Sequence, residues 1–200
     1  MNKKPALKLA LTAFFAATIC IGSFIRIPVG FLPIVLQNAL CVLSGILLGG
    51  FSGAAPTLLF LLAGLAGLPV YSGGTSGIGI WAGPTGGFLP GYLIGALAAG
   101  LIAGRPVISE KTKSAALTLR ITAATVAGMM ILYIPGVLWF AYWALKTGNI
   151  PAEKTALTYA VSACVIPYIP GDIVKIAIAV PIALKIRPLI ALYTGNGDKK

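Results

Sequence analysis

The chain has 200 residues, 58% of them hydrophobic and 10% charged, with a mean hydropathy of +0.97 and a formal net charge of +11. Soluble globular chains carry roughly 25% charged residues, so an ordinary water-soluble domain is excluded. The chain has no His, which removes the commonest general base and metal ligand. The basic residues gather at segment ends and form no aromatic-interleaved patch, which argues against nucleic acid.

The apolar residues come in continuous runs, not in the alternating segments of about ten residues that mark a transmembrane β-barrel. A helix needs about 20 mostly apolar residues to cross a bilayer, and in lipid the backbone must be hydrogen-bonded internally. The expectation is therefore an all-α integral membrane protein. It is a six-transmembrane-helix bundle in a single transmembrane domain spanning residues 1–200.

Helix 1 is expected over residues 6–25, behind Lys3-Lys4-Pro5. Its apolar stretch is too long for the h-region of a signal peptide, and no A-x-A cleavage site follows. Ala6, Ala10, Ala13 and Ala17 place small residues four apart in two pairs. Such spacing flattens a helix face, either for internal packing or for a docking partner. Helix 2 is expected over 33–50, with Gln37 and Asn38 near its start, and helix 3 over 53–70.

A stretch rich in Gly and Pro follows, from Gly73 to Gly91. It lies inside a run from Ile27 to Gly104 without any Asp, Glu, Lys or Arg. Water-exposed loops rarely lack charge over such a length. Its glycines permit close backbone approach, Thr75, Ser76 and Thr85 supply hydroxyls, and Tyr71, Trp81 and Phe88 supply apolar walls. That mixture suits a small-molecule pocket, and equally a turn between tightly packed helices. It is no P-loop, because no Lys-Ser/Thr follows the glycines, and it misses the dinucleotide spacing.

Helix 4 is expected over 87–104 and helix 5 over 115–134. Pro135-Gly136, Gly148, Pro151 and Pro167 then interrupt the pattern, since proline removes a donor and clashes with the preceding turn. Short helical pieces at the membrane surface are expected there, with Trp139, Tyr142 and Trp143 in an aromatic belt. A kinked pair of longer helices is the alternative. Helix 6 is expected from Pro170, tolerated in a first turn, to Lys185.

With six spans, one side collects Lys3, Lys4, Lys8, Arg105, Lys111, Lys113, Arg120, Lys185, Arg187, Lys199 and Lys200. The other collects Arg26, Lys146 and Lys154. This imbalance places both termini in the cytoplasm and the Gly-rich stretch outside. Cys20, Cys41 and Cys164 are far apart, lack metal-site spacing, and read as packing residues. No metal site and no cofactor are expected.

Asp172 and Lys175 are the most isolated charges inside an expected span. Their spacing puts them on one helix face. One charge at a helix centre costs about 2.5–3.5 kcal/mol on insertion scales. Asp172 gains from the positive end of the helix dipole, whereas Lys175 does not. The lysine therefore needs a partner: Asp172, the membrane surface or a ligand. A structural ion pair and a ligand contact are both consistent with the spacing. Gln37 could bond a ligand or satisfy a broken backbone. A lone acid without His is a thin catalytic set, so the chain does not read as an enzyme.

The blocks Leu68-Pro69-Val70-Tyr71-x-Gly73-Gly74 and Gly83-Pro84-Thr85-Gly86-Gly87-Phe88-Leu89 resemble the BioY family. These are the biotin-specific substrate-capture (S) components of energy-coupling factor (ECF) transporters. Pro33-x-x-Leu36-Gln37 and Pro167-Tyr168-x-Pro170-Gly171-Asp172-x-x-Lys175 carry the same resemblance, as does the small-residue helix 1. It covers nearly the whole chain, in order.

The resemblance implies a six-helix S component in a prokaryotic cell membrane that captures biotin from outside. Its implied partners are a transmembrane coupling subunit and two cytoplasmic ATPase subunits. Asp172, Lys175, Gln37, Tyr71, Gly74, Trp81, Thr85, Gly86, Gly87 and Phe88 become the implied substrate-binding set. Ala6, Ala10, Ala13 and Ala17 become the implied docking face on the coupling subunit. The chain departs from the family pattern at Val35, where Thr is expected, and Tyr71 and Phe88 exchange Phe and Tyr character. An S component for another water-soluble vitamin is the nearest alternative, and an intramembrane transferase a more distant one.

Overall fold

The structure is a computed structural model that describes residues 3–29, 32–110, 112 and 114–194. The chain begins with helix α1 (Lys3–Phe24). An antiparallel hairpin of β1 (Arg26–Val29) and β2 (Leu32–Val35) follows, then α2 (Gln37–Leu48) and α3 (Gly50–Leu65). A short helix α4 (Ile78–Ala82) precedes α5 (Phe88–Ala103), α6 (Ala115–Thr147) and α7 (Ala156–Cys164). A 3-10 turn (Ile166–Tyr168) then leads into α8 (Ile169–Thr194).

Small residues set how closely the helices approach. Gly87, Gly91, Gly95, Ala99 and Ala103 recur every four residues along α5, a spacing that aligns them on one face. A side chain at Gly91 or Gly95 would press within 2.5 and 2.6 Å of the carbonyls of Leu132 and Gly128 on α6. On α2, a methyl group at Gly45 would overlap the Ala96 carbonyl of α5. Backbone is what these positions meet, and backbone cannot rotate aside. Gly45→Ala is therefore expected to lower stability by about 1–3 kcal/mol, the range for overpacking. A thermal unfolding midpoint in detergent unchanged from wild type would refute this contact. One residue, Gly49, joins α2 to α3, with φ of 72° in the region that favours glycine.

Two helices, Ala6–Phe24 and Ala115–Thr147, are long and apolar enough to cross a membrane by length and composition. Large apolar side chains point outward along both, among them Leu9, Phe14 and Ile21 on α1 and Leu119, Met130 and Leu138 on α6. Ala6, Ala10, Ala13 and Ala17 are also exposed, whereas Ala16 and Ile19 form the inward face of α1.

The structure corrects several boundaries. Helix 5 does not stop near Pro135: α6 runs through it to Thr147 and carries Trp139, Tyr142 and Trp143, leaving no separate surface segment there. Helices in lipid tolerate proline when neighbours take up the strain, and here Gly136 makes room for the Phe88 ring. Short helical pieces do occur later, as α7 and the 3-10 turn. Helix 6 starts at Ile169, close to expectation, but α8 continues past Lys185 to Thr194. Residues 33–36, expected in helix 2, belong largely to the hairpin. α3 stops at Leu65, and the chain from 66 to 77 folds back on it. Of the charges used for orientation, Lys111, Lys113, Lys199 and Lys200 lie outside the described residues. Arg187 is not a loop charge, because it is fully buried in α8.

Candidate functional site

One end of the bundle encloses a cavity of about 470 Å³. Hairpin residues, the start of α2, the Gly-rich stretch, α5, α6 and the start of α8 all contribute to its wall. The Gly-rich stretch can serve as a wall because it is tied down. The Tyr71 hydroxyl donates to the Leu61 carbonyl at 2.6 Å and accepts from Trp81 Nε1 at 3.0 Å. Burial raises the pKa of this phenol above its ordinary value and keeps it a neutral donor. Trp139 Nε1 donates to the Gly83 carbonyl at 2.8 Å, anchoring the stretch to α6. Gly73, Gly74 and Gly77 have φ of 76°, 76° and 83°, values that would strain any other residue.

A charged cluster at the cavity is built on α8. The first turn of α8 places Asp172 and Lys175 three apart, and Lys175 Nζ lies 3.0 Å from Asp172 Oδ1. The same ammonium donates to Asn38 Oδ1 of α2 at 3.0 Å. The Tyr133 hydroxyl of α6 donates to Asp172 Oδ2 at 2.5 Å. Three helices thus converge on one ion pair. Lys175, Asn38 and Tyr133 line the cavity, whereas Asp172 is buried behind them. Gln37 also lines it, and its buried Oε1 has no hydrogen-bond partner. Buried acceptors are normally satisfied, so this atom keeps an unused hydrogen-bonding capacity beside the cavity.

Apolar and aromatic groups make up much of the wall, among them Val35, Phe88, Leu89, Tyr92 and Leu132. Phe88 meets Tyr133 edge-on with ring centroids 6.1 Å apart. Cys164 lies in the same wall, and burial pushes its thiol up to about 12, so it stays protonated. Arg26, Ser72 and Thr75 complete the polar part of the lining.

The structure therefore brings Gln37, Thr85, Phe88 and Lys175 to the cavity surface. Tyr71, Gly74, Trp81, Gly86, Gly87 and Asp172 are not among its lining residues. Tyr71 and Trp81 brace the wall, and a side chain at Gly86 or Gly87 would overlap the Trp81 carbonyl or Trp139. Sequence reasoning missed Tyr133 and Tyr92. A tyrosine hydroxyl in the middle of an apolar span was the available signal, since it needs a partner there. Arg26, which the sequence marks only as a topology charge, also lines the cavity.

A mainly helical bundle with an end cavity whose lining mixes apolar groups with a few polar and charged ones defines a small-molecule binding protein of the membrane type. The family model described as "BioY family" matches residues 1–192, and the chain belongs to the BioY family. It is 38% identical over 191 residues to the biotin transporter BioY of Rhodobacter capsulatus, covering 92% of this chain and 97% of that one. It is 32% identical to the biotin transporter BioY of Thermotoga maritima, covering 91% and 96%. Among solved structures, the S-component for biotin from an ECF-type ABC transporter superposes with a TM-score of 0.75. The identity there is 30%, over 94% of each chain.

Proposed function

We propose that this chain captures biotin at the outer side of the membrane, as the S component of an ATP-driven ECF transporter. The observation that carries this reading is the Lys175–Asn38–Gln37 corner of the cavity, found in a chain of the BioY family. A ureido ring presents two N–H donors and one strong acceptor. Lys175 Nζ donates to the oxygen, and the unpartnered Gln37 Oε1 accepts from an N–H. Asp172 supports this corner from behind by holding Lys175 and Tyr133. Phe88, Tyr92 and Leu132 pack against the thioether ring and the valerate chain. Thr85 supplies a further hydroxyl, while Tyr71, Gly74, Trp81, Gly86 and Gly87 shape the wall. The work is binding and delivery, without a catalytic step.

The chain is a single multi-pass transmembrane domain of the prokaryotic plasma membrane. Its spans are α1, α2, α3, α5, α6 and α8, both termini are cytoplasmic, and the cavity faces out. Helix α2 has 12 residues, about 18 Å at 1.5 Å per residue, which is shorter than the hydrocarbon core. The hairpin before it supplies the remaining depth. Irregular backbone is tolerated there because it lines a cavity and is shielded from lipid.

The coupling subunit and the two ATPase subunits engage from the cytoplasmic side, through the exposed Ala6, Ala10, Ala13 and Ala17 face of α1. Ala10→Leu with Ala13→Leu is expected to abolish co-purification with the coupling subunit while biotin affinity stays within about twofold. Both side chains point away from the fold, and large residues hold helices apart. Retained complex formation would remove this face from the account. The substrate itself is tested by a competition panel on the purified chain. Biotin is expected to displace labelled biotin, and riboflavin, thiamine and pantothenate are not. Displacement by another vitamin at equal concentration would favour the alternative of an S component for that vitamin.

A further inference from the structure

Two cations line the cavity, and they differ in what already holds them. Lys175 is tied to Asp172 and Asn38. Arg26 makes no ion pair among the described residues. The chain has only four acidic residues. Glu110 is engaged by Arg187 and Arg120, and Asp172 by Lys175. Glu153 makes no ion pair among the described residues, and Asp198 lies outside them.

The position of Arg26 is fixed by local structure. It opens β1 opposite Val35 of β2, and the hairpin is held at its base by Leu36 N–H donating to the Ile25 carbonyl at 3.2 Å. Its guanidinium lies across Gly73, where an added methyl group would come within 2.9 Å of Cζ and overlap Nη1. Only a glycine leaves that space. The neighbouring Ser72 lines the cavity too, and its buried Oγ has no hydrogen-bond partner. A guanidinium without an ion pair among the described residues and an unused buried hydroxyl thus line the same cavity as Lys175, together with the apolar Phe88 and Leu132.

We infer that Arg26 and Ser72 form the carboxylate subsite of the cavity and make the chain selective for a ligand with a free terminal carboxylate. This rests on the biotin reading. With the ureido ring at Lys175, the valerate tail extends along Phe88 and Leu132 and ends at Arg26. A planar guanidinium matches a carboxylate with two parallel hydrogen bonds, and the Ser72 hydroxyl donates a third. A biotin ester or an amide-linked biotin keeps the rings but loses the charge. It leaves Arg26 unmatched. In this pose Lys175 serves the ureido ring and Arg26 the carboxylate.

The test titrates biotin and biotin methyl ester into the purified full chain, comparing wild type with Arg26→Gln, Arg26→Lys and Ser72→Ala. Wild type is expected to prefer biotin by about 30-fold or more, within the range for truncating a charge-assisted pair. Arg26→Gln is expected to cut biotin affinity by a similar factor while leaving ester affinity within about twofold. The preference then collapses. Arg26→Lys is expected to restore part of it, and Ser72→Ala to lose about fivefold for biotin alone. Added salt is expected to weaken biotin and not the ester, because Arg26 is exposed and salt screens exposed charges. If Arg26→Gln binds biotin as wild type does, or loses ester and acid in parallel, the Arg26 assignment falls while the biotin reading stands. A wild-type chain that binds neither ligand overturns the biotin reading itself, and this inference with it.

Discussion

Lys175→Ala is expected to lower biotin affinity by about a hundredfold or more, the largest single effect on binding. Lys175 Nζ bridges Asp172 and Asn38 at 3.0 Å each and presents the remaining ammonium proton to the cavity. Removing it takes away a charge-assisted donor, worth roughly twice a neutral hydrogen bond. It also leaves Asp172 buried with Tyr133 as its one remaining hydrogen-bond partner among the described residues. Breaking a buried pair on one side costs about 3–5 kcal/mol. Part of that appears as lost stability, and the rest as a collapsed binding corner. Titration calorimetry on the variant, with its thermal midpoint measured alongside, separates the two. Asp172→Asn is expected to weaken binding strongly as well, through loss of the group that holds Lys175. A Lys175→Ala chain that binds biotin within about threefold of wild type would show that the ligand does not reach this corner.

Arg187→Met is expected to have the largest effect on stability, about 3–5 kcal/mol. The Arg187 guanidinium is fully buried. Its Nε donates to Glu110 Oε2 at 2.9 Å, Nη2 to Oε1 at 2.5 Å, and Nη1 to the Ile46 carbonyl at 2.6 Å. Nη1 and Nη2 also reach the Gly104 and Ala103 carbonyls at 3.2 Å each. These carbonyls lie at the C-terminal ends of α2 and α5, where helices leave acceptors without intrahelical donors. One side chain of α8 therefore closes two helix ends and neutralises a loop acid. Methionine keeps much of the volume and none of the bonds, leaving the Glu110 carboxylate, among the described residues, with the more exposed Arg120 alone. The thermal midpoint in detergent is expected to fall by about 10 °C. Adding Glu110→Leu is expected to recover part of the loss, because an unmatched buried acid is removed. Biotin affinity of the still-folded fraction is expected to stay unchanged, since Arg187 does not line the cavity. A midpoint within about 2 °C of wild type would contradict this role.

The helical character of the apolar runs, the Gly-rich wall and the Asp172–Lys175 pair were legible for distinct physical reasons. Length of apolar runs marks helices in lipid, and an uncharged flexible stretch needs an interior to sit in. A three-residue spacing puts two charges on one face. The hairpin from Arg26 to Val35 was not legible, because Pro28 and Pro33 read as helix-breaking punctuation and its apolar residues match either period. The end of helix 5 was misplaced because proline was judged by its cost in a helix interior, and the room that Gly136 makes for Phe88 is a tertiary fact. Arg187 was misassigned for a similar reason. Positive charge near a span end usually means solvent, and its acid partner Glu110 lies 77 positions away. The stripe from Gly87 to Ala103 on α5 could have been found from spacing alone.

Tyr133 shows where sequence reasoning ends. Nothing about its neighbours says that its hydroxyl meets a carboxylate 39 residues later. That contact exists because α6 continues straight past the cavity and α8 starts beside it. The pair at Asp172 and Lys175 was thus visible in sequence as two charges, and only the fold supplies Asn38 and Tyr133 as the frame around them.

The most direct measurement is isothermal titration of biotin into the purified chain, alone in detergent or nanodiscs and without coupling or ATPase subunits. The account predicts saturable one-to-one binding with a dissociation constant below about 1 μM, equivalent to roughly −8 kcal/mol or tighter. No saturable heat at about 100 μM biotin, with the chain shown to be folded, would contradict it.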